Sequence, residues 1–204
     1  MISILDYGLG NLGSVQNMIS KIGKDSKIIS SVEEIFLAEK LIIPGVGSFD
    51  KGMENLDALK FIKPLNEVVL NKKIPIIGIC LGMQLMCNSS EEGAHAGLGW
   101  IDAKVKKFKH TIDGDIKVPH MGWNSVMLNS RSSLNNNLDN DTRFYFVHSY
   151  YVECLNKSDS ILKCKIGNRI FDAAFEKSNI RGCQFHPEKS HRYGMQFLKN
   201  FINI

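Results

Sequence analysis

Two stretches of this chain carry residue types that could do chemistry together. Gly78-Ile79-Cys80-Leu81-Gly82 holds a cysteine at a predicted strand-to-helix corner, and His186-Pro187-Glu188 offers an imidazole with a carboxylate two residues on. A thiol, a base and a group that orients the base are the minimum set for acyl transfer through a thioester. Gly-x-Cys-x-Gly after an apolar strand has the pattern of a nucleophile elbow with Cys in place of Ser. The tight turn crowds backbone against the reactive side chain, so small residues two before and two after relieve it. The helix that follows favours the thiolate. With Pro187 restricting the backbone, an extended stretch would place His186 and Glu188 on the same side. Glu188 would then hold the imidazole tautomer while His186 removes the Cys80 proton. Pro44-Gly45-Val46-Gly47 closes a predicted strand, where backbone N–H groups can be aimed at a developing oxyanion. Taken alone, the pentapeptide also describes a buried cysteine beside two turn glycines, and the Pro-Gly-Val-Gly run an ordinary tight turn.

The elements that must position these groups fall into two textures. Through about residue 100, short apolar runs at 2–5, 27–29, 41–43 and 74–79 alternate with helical patterns at 15–22, 31–38, 61–70 and 81–88. Ser31 and Glu34 form a capping-box signature for the second helix, and Leu65, Val68 and Val69 share one face of the third. Alternation of this kind predicts a parallel sheet covered on both faces. Beyond residue 97, runs at 101–108, 125–128, 143–152, 161–166 and 170–175 read as antiparallel strands with turns such as Gly167-Asn168. Residues 130–141 read as a solvated loop and 193–202 as a final helix with Phe197, Leu198, Phe201 and Ile202 inward. No internal repeat or linker is visible, so residues 1–204 are expected to form one domain.

Composition narrows the function classes. Hydrophobic residues make up 44% and charged residues 23%, ordinary for a globular chain, and the net charge of +4 comes without a dense basic run, which argues against nucleic acid. No stretch approaches a membrane span and the N-terminus lacks a signal-peptide pattern, so the expected location is cytoplasmic. Five cysteines, at 80, 87, 154, 164 and 183, show no CxxC or zinc-like spacing, and no metal site is expected. Cys87, Cys154, Cys164 and Cys183 read as small buried hydrophobes, and His95 and His110 as ordinary satisfied histidines. A rival reading of another class comes from Gly8-Leu9-Gly10-Asn11-Leu12-Gly13, which fits the G-x-G-x-x-G dinucleotide fingerprint with Glu33 downstream. Against an NAD-binding Rossmann protein, Asp6 immediately precedes the loop, and Glu33 falls inside a helix cap instead of at a strand end.

Gly78-Ile79-Cys80-Leu81-Gly82-Met83-Gln84 and Gln184-Phe185-His186-Pro187-Glu188 together resemble the class I, triad-type glutamine amidotransferases. More narrowly the chain resembles the HisH family, the glutaminase subunits of imidazole glycerol phosphate synthase in histidine biosynthesis. That narrower resemblance rests on Asp6-Tyr7-Gly8-Leu9-Gly10-Asn11-Leu12, Pro44-Gly45-Val46-Gly47, Val118-Pro119-His120-Met121-Gly122-Trp123-Asn124, Tyr145-Phe146-Val147-His148-Ser149-Tyr150-Tyr151 and Glu188-Lys189-Ser190. It implies a flavodoxin-like α/β fold, a mixed central sheet flanked by helices with an added antiparallel portion, and it implies no cofactor. Cys80 would attack the side-chain amide of L-glutamine, His186 would protonate the departing ammonia, and Glu188 would orient His186. Val46 and Gly47 would carry oxyanion donors, in some members only after rearrangement, while Gln84, Ser149 and Tyr150 would hold the substrate. Asn11, Met121, Trp123 and Lys189 match positions at or near the interface with a HisF-type (β/α)8-barrel cyclase subunit, forming a heterodimer that receives the ammonia. Residues 8–13 would then be a partner-facing loop.

Two alternatives stay open at the level of sequence. Residues 188–195 and 97–101 also resemble a paralogous branch that supplies ammonia to a sugar amidotransferase in surface-polysaccharide synthesis; histidine-pathway members more often carry Ser or Gln where His191 stands. A stand-alone cysteine hydrolase would share the triad. Met121 and Trp123 argue for a docking surface and against it, with core packing as the competing account of those two side chains.

Overall fold

The structure is a computed structural model describing residues 1–109, 116–139 and 141–204. His110 and residue 140 of the polar loop lie outside the described residues. β-branched runs that are apolar on both sides build the parallel half: β1 (Ile2–Leu5), β2 (Ser26–Ile29), β3 (Lys40–Gly45) and β4 (Ile76–Cys80) lie in the order β2-β1-β3-β4. The sheet then continues through β12 (Ile180–Cys183), parallel to β4, and turns antiparallel through β11 (Arg169–Lys177), β10 (Ser160–Ile166), β7 (His120–Leu128) and β8 (Arg143–His148). β9 (Tyr150–Cys154) pairs with β11 and with β6 (Ala103–Lys107), which carries the two-residue β5 (Ser89–Ser90). This is the mixed sheet with an antiparallel extension that the sequence led us to expect.

Side-chain alternation divides the core between the two faces of the sheet. Leu41, Ile43 and Ile76 point to the side covered by α2 (Val32–Leu37), α3 (Phe49–Ala58), α4 (Ile62–Asn66) and α5 (Leu81–Leu85). Ile42, Ile77 and Ile79 point to the side covered by α1 (Leu12–Lys21), through Val15 and Ile19, and by α6 (His191–Ile202), through Phe197 and Phe201. Each such side chain contributes roughly 1.5–3 kcal/mol by leaving water. The expected Ser31–Glu34 cap is present with its return bond shifted by one residue: Ser31 Oγ accepts from Glu34 N at 3.3 Å, and the Glu34 carboxylate accepts from Ser30 N, just before the N-cap, at 2.9 Å.

Several elements differ from the sequence expectation, each for a reason of packing. α3 and β12 were not foreseen, because each carries a glycine that reads locally as a breaker. A Cβ on Gly52 would lie 2.9 Å from Leu85 Cδ2, and one on Gly182 would lie 2.5 Å from the Phe175 ring. The segment expected as one helix over 61–70 passes from α4 into a π-helical turn, Glu67–Asn71. The helix expected over 81–88 stops at Leu85, since the carbonyls of Leu85, Met86 and Cys87 are taken by the N–H groups of Leu98, Trp100 and Gly99 at 2.8, 2.9 and 3.2 Å. The run 143–152 breaks at Ser149, where the chain leaves β7 as partner and joins β6. The last of these breaks opens the site.

Candidate active site

β4 delivers Cys80 to the rim of the sheet, where the chain turns into α5 with φ +53° and ψ −108° at the cysteine itself. A non-glycine residue held in that region stores roughly 1–3 kcal/mol, which the surrounding packing must offset. The two glycines of the elbow make it possible. A Cβ on Gly78 would sit 2.5 Å from the Gly82 carbonyl, and one on Gly82 would sit 1.9 Å from the Ile43 oxygen. The thiol is thereby pushed out of the sheet, 3.9 Å from the Val147 carbonyl, with the Gln184 amide donating to Sγ at 3.6 Å.

His186 follows β12 and reaches the same place. It has the extended backbone that a following proline enforces, φ −99° and ψ 98°. Residues Pro187–Lys189 then form a 3-10 turn where an extended stretch was expected, and the turn still brings Nδ1 of His186 to 2.7 Å from Glu188 Oε1. Both side chains are 2% exposed. Ser190 ties this turn to β8, donating to the His186 carbonyl at 2.6 Å and accepting from Tyr145 N at 2.9 Å. Burial opposes charge on His186, but hydrogen bonding to the Cys80 thiol and then to Glu188 outweighs it and pushes the imidazole up to about 10. With Nδ1 committed to Glu188, Nε2 is the ring nitrogen left to serve the thiol. Burial raises the thiols of Cys87, Cys154, Cys164 and Cys183, so these four are the inert hydrophobes expected.

A cavity of about 210 Å³ brings together Val46, Gly47, Cys80, Gln84, Ser149, Tyr150 and His186. Seven of the sequence-predicted residues thus line one pocket, with Glu188 directly behind it. A larger groove of about 730 Å³ along residues 128–136 holds neither thiol nor imidazole, so size does not mark the chemistry here. Gln84 is buried and donates to the Tyr150 carbonyl at 3.2 Å and to Gln184 Oε1 at 3.0 Å. Gly47 takes φ +135° at the end of the Pro44-Gly45-Val46-Gly47 run, a conformation that glycine supplies without strain.

The cavity also holds residues that the sequence did not single out. Glu92 lines it with a carboxylate that accepts Phe49 N–H at 2.8 Å and whose pKa burial raises. His148 lines it as well and is bonded to His120 at 2.9 Å. Tyr7 packs its hydroxyl beneath the elbow, 2.5 Å from where a Cβ on Gly45 would stand, and that hydroxyl has no hydrogen-bond partner. Gln184 lay inside a recognised motif, but only the fold shows it bridging Gln84 and Cys80. For Glu92 no local signal exists, because its loop is brought to the pocket by tertiary packing.

The four residues expected at a partner surface lie outside this pocket. Met121 and Trp123 are 60% and 41% exposed on the outward side of β7, which settles against core packing for both. Tyr145 links Trp123 to Lys189, with ring centroids 6.2 Å apart and the ammonium 5.9 Å over the phenol ring. Asn11 is exposed and caps α1, accepting from Ser14 N at 3.3 Å, on a helix that packs beside the Pro187–Lys189 turn. The nearby glycine fingerprint is spent on chain geometry: Gly10 is pressed against the Pro44 carbonyl, and a Cβ on Gly13 would meet open space. The third glycine therefore makes none of the close helix packing that a dinucleotide fold asks of it. Among the described residues no group of three or more His, Cys, Asp or Glu is placed to hold a metal ion, and no helix is long and apolar enough to cross a membrane.

Comparison with known proteins agrees with this geometry. The pattern of the family "Glutamine amidotransferase class-I" matches residues 3–204. The imidazole glycerol phosphate synthase subunit HisH 2 of Methanococcus maripaludis is 53% identical, over 99% of this chain and 98% of its own length. The subunit of the same name from Pseudomonas aeruginosa is 46% identical over 100% of both chains. At the level of fold alone, the structure of PurLQS from Thermotoga maritima superposes with a TM-score of 0.73 at 15% identity, covering 99% of this chain and 97% of that one. A cysteine elbow facing a His–Glu pair, on this sheet and with these relatives, means that the chain belongs to the class-I glutamine amidotransferases and, within them, to the HisH family of imidazole glycerol phosphate synthase subunits.

Proposed function

We propose that residues 1–204 form one glutaminase domain that releases ammonia from L-glutamine for imidazole glycerol phosphate synthesis in the cytoplasm. The observation that carries the reading is the buried His186–Glu188 pair facing the Cys80 elbow, with His186 and Cys80 lining one small cavity. The raised imidazole of His186 takes up the thiol proton of Cys80. Sγ attacks the side-chain carbonyl carbon of glutamine, and the oxygen takes up the negative charge, received by backbone N–H groups at Val46 and Gly47. His186 gives its proton to the amide nitrogen, the C–N bond breaks and NH3 leaves. Water then adds to the thioester, its proton passes to His186, and collapse frees glutamate and the Cys80 thiolate. Gln84, Ser149 and Tyr150 hold the substrate, and the Glu92 carboxylate at the cavity complements the substrate's α-ammonium.

Ammonia protonates in bulk water and loses its nucleophilicity, so it is useful only when passed directly to a second site. The acceptor is a HisF-type (β/α)8-barrel cyclase subunit docked on the surface of Asn11, Met121, Trp123 and Lys189. Turnover is accordingly weak for the chain alone and strongly stimulated by that subunit with its ligand bound. The test is glutamate release in a mixture of this chain, its own genome's cyclase-type subunit and the ribulosyl precursor, with Cys80→Ala as control. Stimulation abolished by Cys80→Ala supports the reading; equal turnover with and without the subunit, or turnover independent of Cys80, refutes it. A second reading rests on His191, which stacks on Trp123 with ring centroids 5.5 Å apart and 3° between planes and so shapes the docking surface itself. It assigns the same glutaminase to a sugar-amidating partner, and is favoured if the subunit binds without stimulation by the ribulosyl precursor.

A further inference from the structure

His148 and His120 form a hydrogen-bonded chain whose direction is fixed by elementary chemistry. His148 Nδ1 lies 2.7 Å from the Tyr150 carbonyl oxygen, which can only accept, so Nδ1 carries the hydrogen. Burial, with the neighbouring imidazoles of His120 and His186 opposing a further positive charge, pushes His148 down to about 3, so it is neutral and its Nε2 holds a lone pair. That nitrogen is 2.9 Å from His120 Nδ1, which must therefore donate. Burial lowers His120 too, and its Nε2 lies 2.8 Å from the Asn124 carboxamide oxygen, a bond that works the other way. The donors therefore run one way, from His120 through His148 to the Tyr150 carbonyl.

The far end of the chain is the glutamine pocket. The Tyr150 carbonyl accepts from His148 and from Gln84 Nε2 at 3.2 Å, which uses both of its lone pairs. The second hydrogen of Gln84 Nε2 goes to Gln184 Oε1 at 3.0 Å, and Gln184 donates in turn to Cys80 Sγ. Both donors of the Gln84 amide are thus consumed within the protein, and what it presents to a ligand is its Oε1 acceptor. Phe108, Phe146 and Phe171 enclose His148 with ring centroids 5.4, 5.7 and 5.3 Å away, which blocks rotation of the imidazole.

We propose that His148, held in its Nδ1–H tautomer by His120, is a positioning residue for the substrate: it locks the Tyr150 carbonyl and, through it, the orientation in which Gln84 meets glutamine. The proposal rests on the glutaminase reading and adds to it a residue that acts on substrate affinity, not on bond breaking. The chain begins on β7, whose opposite side carries Met121 and Trp123, so one strand holds both the outward surface and the inward clamp.

The test is glutamine binding by calorimetry on the Cys80→Ala protein, where no turnover intervenes, compared with the double variants that add His148→Leu or His148→Asn. Asparagine keeps a donor near the Nδ1 position and leucine keeps only bulk. We expect Kd to rise about tenfold with leucine, as loss of one buried hydrogen bond implies, and to return within about threefold with asparagine. Unchanged Kd in both double variants overturns the proposal. Long-range 15N spectra of the wild-type protein provide a readout independent of folding of the variants: a neutral Nδ1–H His148 is expected, and an Nε2–H form or an imidazolium overturns the proposal. If the Cys80→Ala protein binds no glutamine while the spectra show the expected tautomer, the glutaminase reading itself has failed and this proposal falls with it.

Discussion

At the scale of single residues, the site is a set of groups whose environments push them apart. His186 and His148 face the same cavity, one raised to about 10 and the other lowered to about 3, so a charged imidazole, the proposed proton donor, stands beside a neutral one. For His186 the folded pKa lies above the ordinary 6.5, so its stabilising contribution is complete below that value and disappears as pH rises through about 10. We expect glutamine turnover to fall on an alkaline limb near that pH, and Glu188→Gln, which removes one of the raising partners, to move the limb to lower pH. A pH–kcat profile checks both; an unmoved limb would show that Glu188 does not act on the imidazole. Tyr7 gives a prediction of opposite sense. Its hydroxyl is buried, without a partner and beside the elbow, so Tyr7→Phe removes a polar group that was already desolvated. Its Tm should stay equal or rise, whereas a fall would mean that the hydroxyl is bonded in solution. Gly82→Ala should do the reverse, because the Ile43 carbonyl occupies the space a methyl would need. We expect it to abolish Cys80 alkylation and to lower Tm.

At the scale of elements, function depends on where strands and helices stop. The Ser149 break between β8 and β9 supplies the pocket wall, and the short α5 leaves room for residues 97–101 against its end. The turn that carries the His–Glu pair is held to β8 by Ser190, which makes two hydrogen bonds while fully buried. Ser190→Ala leaves a buried N–H and a buried carbonyl short of those partners and should cost about 1–3 kcal/mol. Because the lost bonds fix the turn and not the substrate, kcat should fall more than KM rises. A drop in Tm with kinetics unchanged would assign Ser190 to stability alone. The element reading from sequence succeeded where periodicity was clean, as at β1, α1 and the Ser31–Glu34 cap. It missed α3 and β12, whose Gly52 and Gly182 are small because Leu85 and Phe175 lie against them. No local pattern distinguishes such a packing glycine from a helix or strand breaker.

At the scale of the whole molecule, the sheet carries an exposed aromatic cluster on its outward side, the proposed partner surface, and the pocket at its rim. Trp123 is stacked on His191, with the Arg143 guanidinium 6.0 Å from its ring and Tyr145 leading to Lys189. Since this cluster is exposed, Trp123→Ala should change stability by no more than about 0.5 kcal/mol while weakening binding of the cyclase-type subunit tenfold or more, as expected of a central aromatic anchor. Titration by calorimetry, with Tm as control, separates a docking role from a folding one. Acid stability is a second property of the whole fold. His148 takes its proton below about 6.5 when unfolded but only below about 3 when folded, so the unfolded chain binds more protons between those values. Stability should therefore decline as pH falls through that window, and His148→Asn should flatten the decline in a Tm–pH series.

The sequence by itself determined the chemistry and the class of fold. A cysteine between glycines at a strand end, a His-Pro-Glu unit and alternating apolar runs are local patterns, and local patterns are legible because backbone sterics and side-chain periodicity act over a few residues. Tertiary structure alone decided that Glu92, Gln184, His120 and His148 join the site, that Glu188 meets His186 through a turn, and that Tyr7 lies under the elbow. Those relations pair residues far apart in the chain through the crossing of strands, and a hydrogen bond between distant residues leaves no mark on either local sequence.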